Sequence, residues 1–188
     1  MSNESNVHVK VAMADVMALF VISMFTFAVA MFGLSANSDL RLLGLIVQIG
    51  PFVGIATLVA AVFAYLNENL LGTAIFGPLA VFFFTIVVVG DISAAVLCTC
   101  IGIIILIDAI VAFAQPVKLL PILLIVAAVA FFVTAMWYNA ATASDAEGLR
   151  PMVGALWLVY SFMSFYMAGA IMILVMKGKA ILPLLIKA

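Results

Sequence analysis

From Val11 to Met176 the sequence runs in long apolar stretches separated by brief polar links. A bilayer core about 30 Å thick takes about 20 apolar residues per helical crossing, and lipid offers no partner to a free backbone N–H or C=O. Reading from break to break gives six crossings, at about residues 11–34, 42–65, 70–89, 92–114, 119–138 and 152–176. The links at 35–41, 66–69, 90–91 and 115–118 are short, and 139–151 is the longest. Short links make consecutive helices antiparallel neighbours. The expectation is an all-α integral membrane protein, with residues 1–188 forming a single six-helix membrane domain. Function must then reside in side chains that face one another, or a pore, inside lipid.

Charge is scarce. Of 188 residues 8% are charged and 69% hydrophobic, and the net charge is −1, which leaves no basic surface for nucleic acid. The polar residues Met1 to Lys10 precede an apolar run with no small-residue cleavage pattern, so the run reads as a first span rather than a signal peptide. Lys10, Lys118, Lys177, Lys179 and Lys187 fall on the side of the two termini. Arg41 and Arg150 fall on the other side with Asp39, Asp91, Asp145 and Glu147. The positive-inside rule therefore predicts a multi-pass protein of the cell membrane with both termini cytoplasmic. Cys98 and Cys100, two residues apart on a helix, point to different faces and read as small packing residues. His8 is the single histidine, so neither a metal site nor a cofactor is expected. With no Ser–His pair and no acid–histidine cluster, the chain does not read as an enzyme.

Several polar or helix-breaking residues inside the spans stand out. Gly50-Pro51 and Gly77-Pro78 predict a kink or break in the second and third helices, because proline removes a helical hydrogen bond. Gly50 and Gly54 form a GxxxG, and Ser161, Ser164 and Ala168 form a small-residue stripe, so backbones should approach closely there, within one subunit or between subunits. Asp108 lies well inside the fourth span, where an ionised carboxylate costs about 2.5–3.5 kcal/mol. It reads either as a proton-linked group or as a structural acid bonded to a neighbouring helix. Asp15 sits near the start of the first helix, where the macrodipole favours an acid, or else it marks the inner mouth of a path. Thr57, Tyr65, Asn69, Ser164 and Tyr166 are the remaining polar pore-lining candidates, since their neutral donors suit a small carboxylate or amide.

The third run reads Asn69-Leu-Leu-Gly72-Thr-Ala-Ile-Phe76-Gly-Pro-Leu79-Ala-Val-Phe82-Phe83. It resembles the acetate uptake transporters, or succinate–acetate permeases, whose third helix opens with Asn-x-x-Gly-x-x-x-Phe and continues to an aromatic pair. Tyr65, Tyr166 and the close Gly178-Lys-Ala-Ile-Leu182-Pro183 also look like features of that family. The resemblance is distant: the family's Asn-Pro-x-Pro-Leu-Gly-Leu falls on Asp15-Val16-Met17-Ala18-Leu19-Phe20-Val21. It implies a six-helix protomer in a hexamer-like homo-oligomer, each protomer holding its own path narrowed by hydrophobic side chains. Carried over by position, the constriction falls on Met24, Leu79 and either Ala127 or Ala128, all smaller than the family's bulky residues.

The function these features imply is a membrane channel or transporter for small monocarboxylates, acetate first and succinate next, passing a small-molecule substrate through each protomer. An amide or urea channel of the same architecture is the alternative reading. A third reading is a non-transporting membrane scaffold subunit, with the small-residue faces as partner surfaces.

Overall fold

The apolar runs fold as six α-helices: α1 Asn3–Leu34, α2 Leu40–Leu66, α3 Leu70–Thr85, α4 Asp91–Ala112, α5 Leu119–Tyr138 and α6 Ala143–Lys177. The structure is a computed structural model describing residues 3–35, 40–178 and 182–183, with side chains from residue 15 onward. His8, Lys10, Asp39, Lys179 and Lys187 lie outside the described side chains, as does the 179–181 part of the Gly-x-x-x-Leu-Pro close. Five helices are long and apolar enough to cross a membrane, with the apolar part of α1 running Asp15–Leu34. The fold is all-α, as the sequence leads one to expect.

Three element boundaries differ from the hydropathy reading, the first being α1, which already begins at Asn3 within the polar residues that precede position 11. Helix α3 ends at Thr85 rather than residue 89, and its 16 residues rise about 24 Å, less than the hydrocarbon thickness. The Thr85 hydroxyl donates to the Val81 carbonyl at 2.7 Å, and the next residues are Ile86, Val87, Val88 and Val89. Back-bonding and a β-branched run both weaken a helix. Helix α6 begins eight residues before Pro151, inside what reads as a loop. Its start is fixed by Thr142, whose Oγ1 accepts from the Asp145 N–H at 3.1 Å and donates to Asp145 Oδ2 at 2.7 Å. The Gly-Pro pairs do not break their helices either: Pro51 lies inside α2 and Pro78 inside α3, both continuous. One lost hydrogen bond is tolerated where neighbouring helices hold the segment.

The helices pack in chain order as a closed ring, α1 on α2, α2 on α3, α3 on α4, α4 on α5, α5 on α6 and α6 back on α1. The α1–α6 seam is the most extensive and the α3–α4 seam the thinnest. Since lipid tails are as apolar as leucine, such seams depend on close packing and buried hydrogen bonds rather than on expelling water. Along α1–α6 the Ser161 hydroxyl donates to the Ser23 carbonyl at 3.0 Å, and Ser164 donates to the Leu19 carbonyl at 3.3 Å. The serine stripe thus serves a contact inside one subunit. At the far end of the same seam Gly33 and Gly154 meet backbone to backbone, and a Cβ on Gly33 would lie 2.6 Å from Gly154 Cα. Beside them, buried Arg150 donates from Nη1 to the Phe32 and Ser35 carbonyls at 3.2 and 2.6 Å, capping α1. Its other nitrogens grip Glu147 at 2.6 and 3.0 Å. The GxxxG of α2 packs on α3 and the residues just after it: a Cβ on Gly50 would meet Val87, and one on Gly54 the Phe84 ring.

Candidate functional site

The ring encloses a cavity of about 340 Å³ with wall residues from all six helices. On α1 the wall runs from Asp15 through Leu19, Ile22, Phe25 and Thr26 to Val29. Fourteen residues at 1.5 Å each make this about 21 Å, most of the way across the hydrocarbon core. Link parity puts Asp15, the N-terminus of α3 and the α4–α5 link at one end of the ring, and the α1–α2 link, Tyr138 and the start of α6 at the other.

Aromatic rings cross the middle of this cavity wall in an unbroken series of contacts. Phe25 of α1 meets Phe83 of α3 at 4.9 Å between centroids, Phe83 meets Phe82 at 5.5 Å, and Phe82 meets Phe131 of α5 at 5.1 Å. Phe131 then meets Trp157 of α6 at 4.9 Å, and Trp157 meets Tyr160 at 5.6 Å. Interplanar angles of 71° to 88° make every contact edge-on, the arrangement in which a ring's positive edge meets a negative face. All six residues are on the cavity wall. Trp157 is held by a further bond, Nε1 donating to Thr134 Oγ1 at 2.9 Å, while Thr134 itself donates to the Ala130 carbonyl at 2.7 Å. Phe25 stands ten residues from Asp15, about 15 Å along the helix and so near mid-membrane.

One end of the wall is more polar than its middle. Asp15, Asn69 and Gln115 line the end where α1 and α3 begin. Asn69 caps α3, its Oδ1 accepting from the Gly72 N–H at 3.0 Å. A Cβ on Gly72 would lie 2.7 Å from Asn69 Nδ2, so the Asn-x-x-Gly spacing is what allows the amide to fold over the helix start. Asp15 Oδ1 is buried with no hydrogen-bond partner among the described residues. No Lys, Arg or His among the described residues stands on the wall. Among the described residues, no group of three His, Cys, Asp or Glu side chains is placed to hold a metal ion.

Of the residues singled out from the sequence, Leu79, Ala127, Asp15 and Asn69 are on this wall. Ala128 is buried beside it without lining it. Met24 is a correction: it is 60% exposed on the outer face, because two residues from Ile22 is 200° of helix rotation. Its neighbour Phe25 is on the wall. Thr57 and Ser164 are also corrected from pore-lining to packing, their hydroxyls donating to the Val53 carbonyl at 2.6 Å and the Leu19 carbonyl at 3.3 Å. Tyr65 is 72% exposed on the outside, and Tyr166 points its hydroxyl away from the cavity to the Pro183 carbonyl at 3.0 Å. Asp108 is buried on α4 and Oδ2 has no partner among the described residues, but it does not line the cavity. Phe25, Phe131, Trp157 and Tyr160 were not identified from the sequence, where aromatic residues in a membrane span read as packing.

No known family matches the sequence, and no curated protein does. The fold does have a solved counterpart. The chain superposes on the bacterial acetate channel SatP with a TM-score of 0.78 over 90% of its own length and 97% of that protein's, at 18% sequence identity. At that identity the likeness establishes a shared fold, which is the fold that the resemblance of residues 69–83 implies.

Proposed function

We propose that the protein is a membrane channel for small monocarboxylates, acetate first, and that the cavity within the helix ring is its path. The observation that carries this reading is the aromatic series Phe25–Phe83–Phe82–Phe131–Trp157–Tyr160 across a cavity long enough to approach both membrane faces. Its fold, shared with an acetate channel, supports the same reading. In this reading the aromatic belt is the constriction, with Leu79 and Ala127 filling the wall beside it. A dry, uncharged constriction passes the protonated acid rather than the anion, since stripping water from a charge costs far more than stripping it from a neutral carboxyl group. Both termini face the cytoplasm of the cell membrane in this reading, so Asp15 and Asn69 form the inner mouth. Asp108 stands off the wall, and its two readings, a proton-linked group or a structural acid, are told apart by Asp108→Asn: unchanged flux and pH profile leave it a structural acid.

Uptake of labelled acetate into proteoliposomes, against protein-free vesicles, tests the proposal. Protein-dependent uptake that rises as pH falls towards the pKa of acetic acid is the expected result. Vesicles with protein that take up no more acetate than bare lipid, at acidic and neutral pH alike, would sink it.

A further inference from the structure

The wall of the cavity is chemically lopsided. Every residue on it from mid-membrane outward is uncharged, whereas the inner end gathers one carboxylate, Asp15, and two amides, Asn69 and Gln115. Resting on the path proposed above, we propose that this inner end is a selectivity site for small neutral carbonyl compounds, in which Asp15 turns away carboxylate anions. The solutes admitted are then protonated monocarboxylic acids and primary amides alike.

The argument runs through the unspent hydrogen-bonding groups. Asn69 uses its Oδ1 on the Gly72 N–H, which leaves its NH₂ as the group able to donate to a solute carbonyl. Asp15 Oδ1 has no partner among the described residues and is an acceptor by nature. A donor and an acceptor at one end of one cavity complement the two sides of a –CO–OH or –CO–NH₂ group, whose carbonyl accepts while its O–H or N–H donates. A carboxylate anion fails on both counts. It has no proton to give Asp15, and its charge opposes that of the Asp15 side chain, with no Lys, Arg or His among the described residues of the wall to offset the repulsion. Among the described residues, the cation in the link at this end, Lys118, is not a wall residue, and its ammonium donates to the Phe113 and Gln115 carbonyls at 2.6 and 2.8 Å.

The test compares two isosteric solutes at one pH. Proteoliposomes at pH 7.5 are challenged with acetamide, read by stopped-flow light scattering, and with acetate anion, read as flux driven by a potassium diffusion potential. Wild-type protein should pass acetamide while its anion flux stays at the protein-free level, and acetate anion added at the inner face should leave that acetamide flux unchanged. In Asp15→Asn and Asp15→Ser the anion is admitted to the mouth but still stopped at the aromatic belt, so it should inhibit acetamide flux severalfold. Wild-type anion flux as fast as acetamide flux overturns the proposal whether or not the variants assemble, and so does acetamide flux that acetate inhibits in neither variant. Uptake of acetic acid by the same wild-type vesicles at acidic pH separates the two levels of argument. If it is present, the path stands and the selectivity site alone falls; if acetamide and acetic acid are both excluded, path and site fall together.

Discussion

Replacing Gly154 with alanine should loosen the seam on which the ring closes, by an amount that the backbone spacing sets. The added Cβ would stand 2.8 Å from the Gly33 carbonyl carbon, 2.8 Å from the Leu34 nitrogen and 2.9 Å from the Ala30 oxygen. Unstrained contacts between heavy atoms lie near 3.5–4.0 Å, so α1 and α6 would have to part by roughly 0.7 Å. All three obstructing atoms are main chain, so no side chain can swing aside. Overpacking of this kind costs about 1–3 kcal/mol. Against it stands the better helix propensity of alanine, about 1 kcal/mol over glycine. Gly169 supplies the control, because it lies on the same helix and a Cβ there meets nothing within 4 Å. Gly169→Ala gains the propensity term with no clash, and the difference between the two variants isolates the steric cost at about 1–3 kcal/mol. Reversible unfolding in mixed detergent micelles, followed by tryptophan fluorescence, measures both. A difference below about 0.5 kcal/mol would refute the idea that backbone contact closes this seam.

Other substitutions separate the cavity wall from its surroundings. Met24→Ala should leave acetate flux within about twofold of wild type, while Phe131→Ala, which removes the ring joining Phe82 to Trp157, should raise the flux of butyrate relative to acetate; equal effects in proteoliposomes would remove the belt from the path. Trp157→Phe keeps a ring in the series but leaves Thr134 without its donor, and should cost about 0.5–1.5 kcal/mol in the unfolding assay with the single-channel size cut-off preserved. Arg150→Met uncaps the Phe32 and Ser35 carbonyls, and should destabilise by about 3 kcal/mol with Glu147→Gln costing far less, because Glu147 is half exposed and able to turn to water.

Hydropathy located the helices because each must bridge the same apolar slab, and the number of crossings follows from length alone. It said little about which face of a helix looks inward. In a soluble bundle the polar stripe marks the outside, but here lipid is as apolar as the interior, so the 3.6-residue period carries almost no signal. Met24 and Phe25 show the cost of that silence: both are apolar, one faces out and the other in, and the position carried over from a distant resemblance falls on the outward one. Small and hydroxyl residues are the marks that remain. Ser23, Thr26, Ala30 and Gly33 lie on the part of α1 that meets α6 or edges the cavity, and phasing the helix on them turns Ile22, Phe25 and Val29 to the wall and Met24 away from it.

The same reasoning separates polar residues that serve the path from those that serve the helix. A hydroxyl one turn above a free carbonyl satisfies itself, as Thr57 does on Val53 and Thr26 does on Ile22, and needs no solute. A side-chain amide or carboxylate has groups to spare. Asn69 was legible because its capping bond and Gly72 leave a sequence trace at a spacing of three, whereas Asp15 was ambiguous, since an acid at a helix start has an ordinary electrostatic reason to be there. What distinguishes Asp15 is the absence of a partner for Oδ1 among the described residues, together with its place on the same wall as Asn69. That relation joins residues 54 positions apart on two helices, and only the closing of the ring brings it into being.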